Sequence, residues 1–401
     1  MGKIMILSFV PVLAVVFCVC CERIDNCSPG QADEVHGTSV SLAGIAGMFS
    51  EIPIDLIQIA EVHDAVSSSE ANGYDEEYMM NDLISSPGRG VGDEASTTKS
   101  VSVYPVPIKD LIEKYLADKF GTKSETDGSS LVTEYLDKLR SSGAQIYWPN
   151  SERWDGKTIP IITFDPGDGS GTNEGYKISI DSDGTREITK IVVDEKIAEE
   201  RPVWVINRND DSSYSSLEIL RRNDPDWGTG GGITVNPSLA STSGTLKTLV
   251  LRSFKMKRNY DSWFAGASEF FIKCGAVENF TASTEAELKL YSPMITDFML
   301  VVKRKQKGLE IPLDVVLVSD WTDQLENCAF MITEDDGGTR TVWNCSAVVK
   351  IKSKSYGFDI SIPFNKRDDI VWRGSLSGRY LEKNNEISGH FGDVDLKFGI
   401  I

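Results

Sequence analysis

Residues 246–401 contain no helical pattern of apolar residues longer than a turn or two. Short runs rich in β-branched and aromatic residues recur there between turn-forming residues, which is the pattern of strands. The predicted strands cover residues 248–254, 269–274, 287–291, 297–303, 313–319, 328–334, 340–351, 358–363, 370–374 and 393–398. About ten strands at this spacing are typical of two packed antiparallel sheets, so we predict an all-β C-terminal antiparallel β-sandwich.

The preceding part of the chain mixes helical and strand patterns. Apolar residues form one helical stripe between Pro107 and Gly121 and another between Ser130 and Gly143. Strand-like runs follow at residues 144–148, 158–164, 176–180, 187–193 and 202–207. A further helical pattern covers residues 52–66. We therefore predict an α+β N-terminal part in front of the β-sandwich.

Length and composition set the domain organisation. A chain of 401 residues exceeds the size of one hydrophobic core, and its 40% of hydrophobic residues is ordinary for a globular protein. Stretches rich in Gly, Pro, Ser and Thr separate the patterned regions. We predict a signal and lipidation segment at 1–21, a tether with short helices and a linker at 22–102, the α+β domain at 103–226, a linker at 227–245 and the β-sandwich domain at 246–401.

The N-terminus is organised like a signal sequence, with a positive charge followed by an apolar run. Lys3 supplies positive charge, and residues 4–19 are almost entirely apolar, a run that suits a signal peptide better than a membrane-spanning helix. The sequence Leu13-Ala-Val-Val-Phe-Cys-Val-Cys-Cys-Glu22 resembles that of bacterial lipoproteins, in which a cysteine after the apolar run is acylated. We predict lipidation at Cys21, where the polar stretch begins, with Cys20 as the second candidate. The alternative is a plain cleaved secretory signal.

Three further segments are similar to uncharacterised envelope lipoproteins of Gram-negative bacteria. They are Ile146-Tyr-Trp-Pro-Asn-Ser-Glu152, Thr163-Phe-Asp-Pro166 and Pro202-Val-Trp-Val-Ile-Asn-Arg-Asn-Asp210. The resemblance implies a cell-envelope protein that is held in the outer membrane by a lipid anchor, on its periplasmic or surface face. It implies no activity and no functional residues.

Charge limits the partners. The chain carries 60 acidic and 41 basic residues, a net charge of -19. Such a surface repels nucleic-acid phosphates, so we expect no nucleic-acid partner. Apart from the membrane contacted through the anchor, we expect a glycan or an envelope protein as the partner. An acidic surface favours solubility, and it also attracts cations such as calcium.

The sequence Asp165-Pro-Gly-Asp-Gly-Ser-Gly-Thr-Asn-Glu174 is the best candidate for a metal site. Oxygen-bearing side chains alternate with glycines there, including Asp165 and Asp168, as in calcium loops, although the spacing is not that of an EF-hand. Asp181 and Asp183 form a similar, shorter group. The alternative is that both stretches are hydrophilic connections between strands. Calcium is the one cofactor that these residues suggest.

Two tryptophans near a predicted loop suggest carbohydrate binding. Trp148 and Trp154 flank a polar stretch, and exposed tryptophans in an exported protein can stack on sugar rings. The alternative is that both side chains pack in the core, as most tryptophans do.

The sequence Asp335-Asp-Gly-Gly338 predicts a tight hairpin turn with its second and third residues at the tip. Pairing outward from this turn places Cys328 opposite Cys345 at a non-hydrogen-bonded position. The α-carbons of such a pair lie about 4.5 Å apart, within the range of a disulfide. We predict a Cys328–Cys345 disulfide. The alternative is two reduced cysteines on one apolar face. We expect Cys274 to be single and buried, with Cys27 in the tether as the other possible partner.

Catalytic motifs are absent from the sequence. It has no Gly-x-Ser-x-Gly, no His-Glu-x-x-His, no phosphate loop and, in the body, no paired Cys-x-x-Cys. We interpret His63 as a packing residue and His390 as part of a turn, and we name no catalytic residue. The leading hypothesis is a non-catalytic binding or assembly module of the envelope. Enzyme activity stays open, and the alternative is an exported hydrolase acting on glycans or peptides through acidic residues or a bound calcium.

Overall fold

The computed structural model describes residues 40–72, 76–85, 104–121, 128–209, 215–228, 247–382 and 386–401. The predicted signal segment with Cys20 and Cys21, the tether up to residue 39 and the linker residues 86–102 and 229–245 lie outside the described residues. Within them, no helix combines the length and the apolar character that crossing a membrane requires.

The helices and strands follow one another along the chain in two groups. The helices are α1 (Leu42–Glu51), α2 (Leu56–Asn72), α3 (Met80–Ser85), α4 (Ile108–Gly121), α5 (Gly128–Arg140), α6 (Glu195–Glu200), α7 (Leu217–Asn223) and α8 (Gly378–Glu382). The strands of the first group are β1 (Glu77–Met79), β2 (Ala144–Tyr147), β3 (Ile161–Phe164), β4 (Thr172–Ile180), β5 (Arg186–Asp194) and β6 (Val203–Arg208). Those of the second group are β7 (Lys247–Met256), β8 (Ser268–Ala276), β9 (Met294–Val302), β10 (Ile311–Trp321), β11 (Leu325–Glu334), β12 (Arg340–Ile351), β13 (Lys354–Asn365), β14 (Asp369–Ser377), β15 (Glu386–Phe391) and β16 (Val394–Ile400).

A mixed six-stranded sheet organises the first part, with the strand order β1-β2-β6-β3-β4-β5. β3 and β6 run parallel, and the other neighbouring strands run antiparallel. Helices cover one face of this sheet, and the core between them contains the fully buried side chains of Phe49, Trp148 and Trp204. The predicted α+β class of the N-terminal part is confirmed.

Helix α1 belongs to this α+β part although it lies well before residue 103. It begins at Ser41, whose Oγ accepts a hydrogen bond from the amide of Gly44 at 3.0 Å. At its other end, Arg186 of β5 donates to the carbonyl oxygens of Ser50, at 3.0 Å, and Ile52. These bonds satisfy carbonyls that a helix end leaves without partners. α1 and α2 thus share one core with the sheet.

Two antiparallel sheets form the C-terminal part. One has the order β10-β7-β16-β15, the other has the order β13-β12-β11-β8-β9, and β14 pairs with β11 beside β12. Their inner faces enclose one core, whose largest fully buried side chains are Trp321, Phe254, Phe270, Phe280, Phe330 and Phe398. Each such side chain stabilises the fold by about 1.5–3 kcal/mol on burial. The predicted antiparallel β-sandwich is confirmed.

Two local predictions in the sandwich are wrong. The expected strand at 287–291 is replaced by a 3₁₀ helix, Glu285–Leu290. Glu287 accepts hydrogen bonds from the amide of Ser283 and the hydroxyl of Thr284, both at 2.8 Å, and this local bonding favours a helical turn over a strand. The second error concerns His390, which lies in strand β15 and not in a turn.

The predicted Cys328–Cys345 disulfide does not form, and Cys274, Cys328 and Cys345 are all free thiols. β11 and β12 pair only around residues 325–327, after which β14 takes over the same edge of β11. Cys328 therefore lies opposite Leu376 of β14, while Cys345 lies opposite Ile360 of β13. The structure agrees with the alternative prediction that Cys328 and Cys345 are reduced, and Cys274 is buried as expected.

The loop between β7 and β8, residues 257–267, joins the two parts. Its Trp263 and Phe264 pack on the second face of the mixed sheet, in a small apolar cluster with Tyr147 and Val205. Trp263 Nε1 also donates to the carbonyl of Gly171 at 2.9 Å. The described residues of the two parts form one compact unit.

Ion pairs lie beside this apolar contact. Lys305 Nζ lies 3.1 Å from Glu76 Oε1 and 3.2 Å from Glu152 Oε1, and Arg304 Nε lies 2.9 Å from Glu195 Oε1. Each pair joins a basic residue after β9 to an acidic residue of the α+β part. Apolar contacts and ion pairs thus both lie at the junction of the two parts.

Candidate functional site

A cleft of about 240 Å³ lies where the α+β part meets the β-sandwich. The α+β part lines it with residues of β1, β2 and β6 and of the loop after β3. The sandwich contributes the β7–β8 loop, the start of β8 and the residue after β11. The charged lining residues are Glu77, Asp165, Arg208, Asp261, Glu269 and Asp335. The site is therefore assembled from segments that are far apart in the sequence.

Negative charge dominates this acidic cleft, because five of its six charged lining residues are carboxylates. Arg208 is the exception, and its Nη1 donates to the carbonyl oxygen of Ser142 at 3.1 Å. A concave surface with this excess of one charge concentrates a negative potential and attracts cations. The cleft is thus suited to a positively charged ligand.

Three carboxylates of the sandwich meet beside the cleft, and two of them, Asp261 and Glu269, line it. Among the described residues, Asp261, Glu269 and Glu334 are the group of metal-ligand type whose ligand atoms all lie within 4.8 Å of one another. Asp261 comes from the β7–β8 loop, Glu269 from β8 and Glu334 from the end of β11. We call this group the carboxylate trio.

Glu334 is the most buried member of the trio, with 1% of its surface exposed. Burial, together with its hydrogen bond to Asp261 and the negative charge of that residue, raises the pKa of the Glu334 carboxyl far above its usual range. Its Oε1 has no hydrogen-bond partner among the described residues. Such a group requires either a proton or a cation to be stable in the fold.

Gln145 contributes a buried oxygen to the lining of the cleft. Its side chain is 1% exposed, and its Oε1 accepts no hydrogen bond from the described part of the chain. Buried polar atoms in folded proteins nearly always have a partner. In a cleft that already holds carboxylates, a bound cation or a bound water would satisfy this amide oxygen.

The predicted calcium stretches behave mainly as turns. Asp165 Oδ1 accepts from the amide of Gly167 at 2.9 Å, and Asp168 Oδ1 accepts from the amide of Ser170 at 2.8 Å. Asp181 Oδ1 likewise accepts from two amides of its own turn, and Asp183 is exposed. Of these four aspartates, Asp165 lines the acidic cleft. The structure does not gather the four residues into one group.

The two tryptophans proposed for stacking pack against each other, with ring centroids 5.6 Å apart. Trp148 is 0% exposed, so it has no surface to offer a sugar, and the packed alternative describes it. Trp154 is half-buried, and its Nε1 donates to the carbonyl of Thr158 at 2.8 Å. His63 packs on both rings, with centroid distances of 5.5 and 5.2 Å, which agrees with its interpretation as a packing residue.

His390 belongs to a separate surface feature on the sandwich. Its Nδ1 lies 2.5 Å from Asp395 Oδ1 across the β15–β16 pair, and Lys257 Nζ lies at the same distance from that oxygen. The histidine side chain is 80% exposed. An ion pair in this setting contributes little to stability and does not resemble a shielded catalytic centre.

Comparisons with known proteins suggest no function, so the geometry of the cleft is the basis for the functional proposal. No family model, no curated protein and no solved structure matches this chain.

Sequence reasoning missed most of the cleft because its ligand atoms follow no local spacing. Asp261, Glu269 and Glu334 are brought together by the pairing of β8 with β11 and by the fold of the β7–β8 loop. One sequence signal did exist. Gln145 is a polar residue within the otherwise apolar run from Ala144 to Trp148, and a polar residue at a core position demands an explanation.

Proposed function

We propose that this chain is an exported protein of the cell envelope, anchored by lipid, whose body is a non-catalytic binding or assembly module. The observation that carries the proposal is the acidic cleft between the α+β part and the β-sandwich. Both parts contribute carboxylates to it, so the site exists only when they are assembled. Sites at the junction of two domains are common for binding proteins.

The charge of the cleft points to a basic ligand. Five carboxylates around a cleft of about 240 Å³ favour a lysine or arginine side chain of an envelope protein over a neutral ligand. A neutral glycan is a weaker candidate because Trp148, one of the two tryptophans suggested for stacking, is buried.

The binding proposal is tested by capture of partners from envelope extracts on the immobilised chain. We expect capture to weaken with salt, because charge pairs are screened. The double variant Glu77→Gln, Asp165→Asn should abolish it. The matched control Asp168→Asn, Asp183→Asn removes the same charge from exposed turns and should capture normally. Equal loss in both double variants would show that net charge, and not the cleft, is responsible.

The membrane anchor is supported by the apolar segment and the cysteines that follow it. Two or three acyl chains would hold the protein firmly, since a single chain binds membranes only marginally. We expect metabolic labelling with palmitate to mark the wild type and not the variant Cys21→Ser. Labelling that persists in Cys21→Ser and disappears in Cys20→Ser assigns the other candidate. Export without any labelling would indicate a plain secretory signal.

A second candidate function, an exported hydrolase, is favoured by one observation. Asp261 and Glu334 share a hydrogen bond, and carboxyl pairs with separated protonation states can act as acid and base. In that case the purified chain should hydrolyse a glycan or peptide polymer, and Glu334→Gln should abolish the activity. Hydrolysis that survives this substitution would remove the pair from the mechanism.

A further inference from the structure

We propose that the carboxylate trio and Gln145 form a binding site for one calcium ion. The inference deepens the proposed function, because it rests on the acidic cleft being a site for positively charged ligands and names a metal that binds there beside the basic side chain of a partner. It differs from the calcium loop at 165–174 that the sequence suggested, since three of the four oxygen donors lie in the sandwich and the fourth in β2.

The first step is the geometry of the trio. The ligand atoms of Asp261, Glu269 and Glu334 lie within 4.8 Å of one another, a separation that a single calcium ion with oxygen ligands at about 2.3–2.6 Å can bridge. Three carboxylates this close repel one another when ionised, and a divalent cation removes that repulsion.

The second step is independent of the acidic residues. Gln145 is almost completely buried, lines the same cleft and has an Oε1 without a hydrogen-bond partner among the described residues. Side-chain amide oxygens are ordinary calcium ligands. A cation bound in the cleft is a partner for this atom, and the orphaned Oε1 of Glu334 in the trio is a further oxygen donor for it.

The third step concerns the choice of metal. All the available donors are oxygens of carboxylates or amides, which hard cations prefer and which zinc sites seldom consist of alone. The cleft leaves room for bound waters in addition to the protein ligands. Calcium accepts such a mixed and irregular shell, whereas magnesium demands a nearly ideal octahedron.

The test is calorimetric titration of the full-length chain, treated with EDTA and freed of it, with calcium chloride. We expect one calcium ion per chain and a higher melting temperature with calcium than with chelator. Magnesium chloride should bind at least about tenfold more weakly. Absence of heat together with an unchanged melting temperature in the unaltered chain overturns the proposal. Magnesium binding as tight as that of calcium overturns the choice of metal.

Three variants locate the site. Glu269→Gln removes one carboxylate and should weaken calcium binding at least about tenfold. Gln145→Met keeps the length of the side chain without its oxygen and should weaken calcium binding about threefold to tenfold. Asp168→Asn is the matched control and should leave the affinity unchanged. Calcium lost in Asp168→Asn and retained in Glu269→Gln places the ion in the loop and overturns the proposal.

The two proposals can fail separately. Capture of envelope partners that persists in chelator, with no calcium bound by the chain, leaves the proposed function standing and overturns the metal site. Calcium bound with the expected variant pattern, but without any partner captured, supports the metal site and overturns the protein partner.

Discussion

Glu61 is a buried acid whose neutralisation should stabilise the protein above neutral pH. Its side chain lies on α2, is 7% exposed and accepts a hydrogen bond from the amide of Ile108 at 2.7 Å, at the first residue of α4. Burial raises the pKa of the Glu61 carboxyl from 4.5 to about 7; the bond from Ile108 acts against this shift, and the charge of Asp110 adds to it. The folded protein therefore binds this proton more tightly than the unfolded chain does.

The sign and the magnitude follow from that difference in pKa. The stabilising contribution is fully present below the unfolded pKa of 4.5 and is lost as the pH rises through the folded value of about 7. The pKa difference corresponds to about 3 kcal/mol of unfolding free energy. Glu61→Gln keeps an oxygen for Ile108 and cannot ionise, so it should match the wild type in acid. In alkaline solution it should be more stable by about 3 kcal/mol.

The assay is urea unfolding of wild type and variant at about pH 5 and about pH 8. Comparing the two proteins isolates Glu61, because both contain the other titrating groups, such as Asp368, whose pKa burial raises to about 6. Glu113→Gln removes a carboxylate of α4 whose side chain is 44% exposed and serves as the matched control. A difference between wild type and Glu61→Gln that is the same at both pH values would refute the reasoning.

Three further changes test the fold. Gly392→Ala should cost about 2–4 kcal/mol in urea unfolding, because the residue has a φ of 61° and a Cβ would lie 2.2 Å from a carbonyl oxygen of β14; a cost below about 1 kcal/mol contradicts that geometry. Phe264→Ala should cost about 3–5 kcal/mol, because its ring is 0% exposed at the junction of the two parts; an unchanged melting temperature would show that the junction contributes nothing. Alkylation without reductant, followed by peptide mapping, should label Cys345 first and Cys274 and Cys328 only after unfolding, because the last two are buried; protection of Cys328 and Cys345 in the unfolded chain would reveal the disulfide.

Local sequence patterns predicted the elements that depend on local sequence. The strand expected at 340–351 is found at Arg340–Ile351, and the stripe between Pro107 and Gly121 is the helix Ile108–Gly121. Each has a clear apolar period that ends at turn-forming residues, so neighbouring residues in the sequence determine where it begins and ends. The α+β and β-sandwich classes follow from the same patterns, because they depend on which elements occur and in what order.

Pairing between distant strands could not be predicted in the same way. The hairpin that placed Cys328 opposite Cys345 assumes that pairing continues outward from the turn at residues 335–338. In the structure β14, which starts at Asp369, occupies that edge of β11 instead. The glycines with positive φ in the turn are Gly337 and Gly338, one position later than the predicted tip, so the two strands separate there. Whether β12 or β14 pairs with most of β11 is decided by competition between these two strands. The local sequence of a turn contains no information on that competition.

The acidic cleft is a more distant case of the same difficulty. The residues beside Asp165 in the loop suggest it as a calcium ligand. It lines the cleft for another reason, namely that β3 ends at this edge of the mixed sheet. Gln145, Asp261 and Glu334 have no common motif, since they come from a strand of one part and a loop and a strand of the other. Their meeting depends on how the two parts dock.

Docking of the two parts and binding in the cleft are therefore coupled through one loop. Residues 257–267 place Phe264 in the apolar contact with the mixed sheet and carry Asp261 into the carboxylate trio. A cation bound by the trio at a hundred times its Kd stabilises the folded state by about 2.7 kcal/mol, which is close to the lower end of the loss of about 3–5 kcal/mol expected for Phe264→Ala. Calcium should consequently restore much of the stability of Phe264→Ala, whereas the double variant Phe264→Ala, Glu269→Gln should gain little from it. The gains are measured as melting temperatures with calcium and with chelator. Equal gains in both variants would show that calcium does not stabilise the protein through the carboxylate trio and the loop.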